Sequence, residues 1–137
     1  MRYILFFAAL LVLFTACDNP DTLVDKADGT ITGSILPGVA GTASGKIYVV
    51  ASYTNDLKKV DWTRNRDVLG RFGTYEINEL PGGKYYLAMY LDQNNNEALD
   101  SGEFWGGYEA NGDTRLDLVT LDGGKTLMKD ITFLGRY

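Results

Sequence analysis

From Thr30 onward, apolar side chains recur at every second residue, the period of a strand with one buried face. Ile31, Gly33 and Ile35 alternate in a first candidate strand. Ile47, Val49, Ala51 and Tyr53 form one face of a second, with Tyr48 and Val50 on the other. Between them residues 37–45 are rich in small side chains and read as a loop. Tyr75 and Ile77 belong to a third strand, and Pro81-Gly82-Gly83 turns the chain into a fourth with Tyr85, Leu87, Met89 and Leu91. Leu116 and Leu118 mark another, and Asp122-Gly123-Gly124 turns into a last strand from Met128 to Leu134. No long stretch has the helical period of 3.6. The pattern predicts an all-β fold, an antiparallel sandwich of about seven strands.

The pattern before Thr30 is different in kind. Arg2 precedes an unbroken apolar run from Tyr3 to Phe14, followed by small Thr15 and Ala16 and then Cys17. These are the charged, apolar and small-residue regions of an export signal, and the run is too short to span a bilayer. Phe14-Thr15-Ala16-Cys17 resembles the cleavage box of bacterial lipoprotein signals, with Phe14 where leucine is usual. The resemblance implies a signal peptide over residues 1–17, diacylglycerol on Cys17, and an extracytoplasmic site on the bacterial cell envelope, periplasmic or surface. Acyl chains hold because each buried methylene contributes about 0.8 kcal/mol. Residues 18–29 are polar and aperiodic and read as a tether, leaving residues 30–137 for the folded domain.

Composition narrows the chemistry. Acidic residues outnumber basic ones, 18 to 13, and a net negative surface argues against nucleic acid as a partner. Histidine is absent, which removes the commonest general base and the usual nitrogen ligand for zinc. Cys17 is the only cysteine, so a disulfide within the chain and a thiolate cluster are excluded. Sixteen glycines and nine tyrosines suit short strands joined by tight turns. Neither a nucleophile motif nor a phosphate-binding glycine loop occurs. The expectation is a protein that is not an enzyme; a small hydrolase built on paired carboxylates, such as Glu76 and Glu79, is the weaker alternative.

One segment is more specific. Gly73-Thr74-Tyr75-Glu76-Ile77-Asn78-Glu79-Leu80-Pro81-Gly82-Gly83-Lys84-Tyr85-Tyr86 resembles the signature of transthyretin-like (prealbumin-like) domains, which include the carboxypeptidase regulatory-like modules. Close similarity runs over residues 73–103. It implies a Greek-key sandwich, a scaffold that carries no activity by itself.

The segment Asp92-Gln93-Asn94-Asn95-Asn96-Glu97-Ala98-Leu99-Asp100-Ser101-Gly102-Glu103 resembles the twelve-residue EF-hand calcium loop. Asp92, Asn94, Asn96, Asp100 and Glu103 fall at positions 1, 3, 5, 9 and 12, and the Ala98 carbonyl at position 7. Calcium takes 6–8 oxygens, which suits such a set, whereas magnesium demands a tighter octahedron. Leu99 is expected to point into the core. Glu97 stands where glycine is usual, so the loop must accept strain there or follow a different path. The incoming segment is strand-like, so a strand–loop module is expected without a helix pair.

Phe104, Trp105 and Tyr108 follow the loop directly. They are a candidate platform for a sugar ring, although large aromatics more often pin a loop to a core. Lys58, Lys59, Arg64, Arg66 and Arg71, broken by Asp61 and Asp67 and containing Trp62, read as a solvated loop. Together these features predict a membrane-anchored, calcium-binding accessory or binding module. Its partner would be a protein or a glycan, met through loops or a sheet edge. The competing reading is a spacer or assembly subunit whose calcium only stiffens the fold.

Overall fold

Period-two patterning produces strands here with little else. The computed structural model describes residues 27–137, so the signal segment, Cys17 and most of the tether lie outside the described residues. Nine strands follow in chain order: β1 Gly29–Leu36, β2 Lys46–Ser52, β3 Arg66–Leu69, β4 Thr74–Leu80, β5 Gly83–Asp92, β6 Phe104–Gly107, β7 Leu118–Leu121, β8 Thr126–Met128 and β9 Ile131–Arg136. A single turn of 3-10 helix, Gly38–Ala40, is the helical element among the described residues. The fold is therefore nearly all β, a mixed sheet curled into a half-barrel.

The strands run in the order β3-β2-β5-β6-β9-β1-β4, with β7 also on β5 and β8 also on β1. Most pairs are antiparallel, but β1 runs parallel to both β8 and β9. That departs from the antiparallel expectation, and β1 is the reason. Its first part pairs with β4 and β8, while Ile35 and Leu36 pair with β9. One strand thus joins two edges. At the ends of the path, the Asp67 carboxylate on β3 accepts the Glu76 amide of β4 at 2.8 Å.

The inner face is the main core. Ile31, Ile47, Val49, Tyr75, Ile77, Leu87, Met89, Leu91, Ile131 and Phe133 are all buried there. Each such side chain removed from water contributes about 1.5–3 kcal/mol. Two inner tyrosines end on backbone carbonyls: Tyr75 donates to Lys129 O at 2.6 Å and Tyr85 to Pro81 O at 2.7 Å. The outer face is not left to water either. Residues 53–65 lie across it as a strap, setting Leu57, Val60 and Trp62 against Val50, Ala88 and Leu116. This explains why both faces of β2 are apolar: each is covered.

Several details differ from the sequence pattern. Tyr53 lies beyond β2 and is 70% exposed, its ring leaning on Tyr85 at 5.2 Å. Leu116 is buried but lies ahead of β7, and Leu118 is on the outward register while Val119 and Leu121 point in. The last strand divides at Lys129–Asp130 into β8 and β9, which leaves Met128 exposed. The first strand begins at Gly29, one residue inside the expected tether. β3 arises within the basic stretch and β6 directly after the calcium-type loop, because pairing with β2 and β5 outweighs their weak local patterns.

Candidate metal centre

The loop Asp92–Glu103 closes the hairpin between β5 and β6, whose last pair is Leu91 with Phe104. Both terminal carboxylates are taken out of water: Asp92 is 2% exposed and Glu103 5%. A buried charge is costly unless it is hydrogen-bonded and matched by opposite charge. The hydrogen bonds are present. Asp92 Oδ1 accepts the amides of Asn95 and Asn96 at 2.6 and 3.2 Å, and Oδ2 that of Glu97 at 2.9 Å. Glu103 Oε1 accepts the Gln93 amide at 2.8 Å and Oε2 the Asp100 amide at 3.0 Å. Matching charge from a side chain is not. Among the described residues the ion pair formed is Lys59–Asp56, at the surface, and neither Asp92 nor Glu103 has a Lys or Arg partner.

Above these carboxylates the middle of the loop converges. Asp100 Oδ2 accepts Asn94 Nδ2 at 2.8 Å and Asn96 Nδ2 at 2.5 Å. Those two bonds, Asn94's foremost, hold the Asp100 carboxyl below the usual range. The stabilisation they contribute is present above the ordinary carboxylate pKa and is lost as pH falls through the depressed value. The Oδ1 atoms of Asn94 and Asn96 accept the Asn96 and Ala98 amides and keep a lone pair each, so the cluster also carries acceptors. Asn96 Oδ1 accepts the Ala98 amide at 3.0 Å, which holds the peptide just ahead of the carbonyl expected to act as a ligand.

Five of the six expected ligands therefore share one hydrogen-bonded loop through their side chains, and Ala98 joins it by its backbone. No group of three or more carboxylate, cysteine or histidine side chains converges on a metal position among the described residues. The donor set is accordingly one of carboxylates diluted by carboxamides and a carbonyl, which fits a hard, many-coordinate cation and not a thiophilic one.

Glu97 takes the strained option. Its φ is +61°, the left-handed turn that glycine normally supplies, and Asn95 has φ +60°. A side chain there costs about 1–2 kcal/mol relative to glycine. Glu97→Gly is expected to raise the melting temperature in chelator and to tighten cation binding, as read by thermal melts and calorimetry. Leu99 departs from expectation: it is half-buried, belongs to neither core cluster, and lines a surface cleft with Val60, Trp62 and Tyr137.

The three aromatics after the loop do not share a face. Phe104 is buried in the inner core beneath the Arg136 guanidinium at 4.0 Å. Tyr108 packs on the same core and accepts a hydrogen bond from Lys129 at 3.1 Å. Trp105 lies against the outer cluster. Alternation along β6 separates them, so they pin the loop from both sides.

What the sequence reading missed is the aromatic group behind the loop. Tyr48 and Tyr90 stack at 4.9 Å, and Trp62 meets Tyr90 edge-on at 4.8 Å. Its signal was the strand period, which puts Tyr90 and Asp92 on one face. A second loop also went unread: Glu109 Oε1 accepts the amides of Asn111, Gly112 and Asp113, and Asp117 accepts that of Ala110. A cleft of about 430 Å³ lies where β2 ends, beside Tyr53, Arg64 and Glu79. Glu76 does not line it, so the two glutamates do not face each other across it. Comparison of the chain with known protein families, curated proteins and solved structures yields no match.

Proposed function

We propose that this chain is a non-catalytic, calcium-binding module of the bacterial cell envelope, lipid-anchored through Cys17. Its half-barrel is read as a transthyretin-like Greek-key sandwich of the carboxypeptidase regulatory-like kind. The observation that carries the calcium reading is the pair Asp92 and Glu103, buried at the two ends of one loop, neither in an ion pair with a Lys or Arg among the described residues. A divalent ion supplies the missing charge and takes Asn94, Asn96, Asp100 and the Ala98 carbonyl as further ligands. Its role is structural: the loop clamps β5 to β6, and the ion stiffens that junction. The anchor supports the same reading, since export places the domain where calcium is abundant enough to fill a loop strained at Glu97.

The module meets a protein or glycan through its loops or an exposed sheet edge. Calcium titration followed by thermal melts tests the reading. At about 100-fold excess over Kd, stability should rise by about 2.7 kcal/mol, with a much smaller response to magnesium. An unchanged melting temperature in millimolar calcium would exclude it.

A further inference from the structure

Among the described residues, one buried side-chain polar atom is left without a hydrogen-bond partner, and it lies on β5, the strand that leads into the loop. Tyr90 is fully buried, and its hydroxyl has no hydrogen-bond partner among the described residues. Tyr75 and Tyr85, equally buried on the inner face, each reach a carbonyl. An orphan of this kind beside two satisfied buried phenols calls for a specific cause. Two positional facts supply one. Tyr90 precedes Asp92 by two residues on β5, so strand alternation puts both side chains on one face. Its ring stacks on Tyr48 at 4.9 Å and meets Trp62 edge-on at 4.8 Å, which holds it on that face.

We propose that Tyr90 is a positioning residue of the cation loop, its hydroxyl donating to the Asp92–Glu103 carboxylates, directly or through one water, when an ion occupies the loop. This rests on the calcium reading. An outer partner of this type fixes a ligand's orientation, and its loss characteristically weakens metal affinity 10- to 100-fold. Trp62, edge-on to Tyr90, carries the same event to the strap and makes it visible by fluorescence.

The test is calorimetric calcium binding to the full chain, with melts in chelator, for wild type, Tyr90→Phe and Tyr75→Phe. Tyr90→Phe is expected to weaken calcium binding about tenfold and, in a Trp105→Phe background that leaves Trp62 as the reporter, to shrink the fluorescence change, while melting no lower than wild type in chelator. Tyr75→Phe should do the reverse, melting lower with affinity intact, because it loses a bond remote from the loop. Calcium affinity within twofold of wild type in Tyr90→Phe would overturn the role of Tyr90 and leave the cation loop standing. Failure of the wild type to bind calcium would overturn both.

Discussion

Asp92→Ala is expected to abolish the calcium response and to lower stability by about 3 kcal/mol even in chelator. The two effects have separate causes. Asp92 accepts three backbone amides that turn the loop, at 2.6, 3.2 and 2.9 Å, and hydrogen bonds to a buried charge are among the stronger ones. Alanine leaves those amides to water and frees the segment from Asn94 to Glu97. It also removes the only carboxylate that both anchors the turn and stands at the first ligand position. Asp92→Asn separates the roles in part, because it keeps one acceptor oxygen for the Asn95 and Asn96 amides, sets its nitrogen against the Glu97 amide, and deletes the charge. Thermal melts with and without calcium should show the asparagine variant between wild type and Asp92→Ala in chelator, with a calcium-induced rise that is largely lost. A full calcium-induced rise in Asp92→Ala would place the ion elsewhere in the chain.

Gly33→Ala is expected to cost about 3 kcal/mol, on the order of 10 °C in melting temperature. At this point the link between β8 and β9 crosses over β1. The Lys129 amide donates to Thr32 O at 2.8 Å, and Asp130 accepts the Ser34 amide at 2.8 Å. A Cβ on Gly33 would stand 1.9 Å from the Lys129 carbonyl oxygen. Backbone lies on both sides, so neither can move without breaking the parallel pairs that β1 makes with β8 and β9. The same carbonyl accepts the Tyr75 hydroxyl, so displacement would reach the core. Gly70→Ala is the control: a Cβ there meets open space, and its melt should stay close to wild type. Equal melts for the two variants would show that the crossing yields.

How far the sequence could be read depends on how local each cause was. Alternation identified β1, β2, β4 and β5, because burying one face is enough to make a strand of such a pattern. It misplaced Leu118, since a two-residue apolar signal does not define register. β3 and β6 were unreadable for another reason. Arg66–Leu69 is half charged and Phe104–Gly107 half glycine, so their strand state comes from neighbours supplied by distant segments.

The loop divides along the same line. The sequence alone determined the spacing of Asp92, Asn94, Asn96, Asp100 and Glu103, and the break at Glu97, because ligand spacing on a short loop is a property of contiguous chain. Only the tertiary structure decided that Asp92 and Glu103 are buried, that Glu97 takes the left-handed turn, and that Phe104 and Trp105 part to opposite faces. Burial is a property of what packs from elsewhere. Trp62 lies thirty positions ahead of Asp92 in the chain, yet with Tyr90 it forms the wall behind the loop. No local pattern encodes that contact, which the strap makes by crossing the sheet.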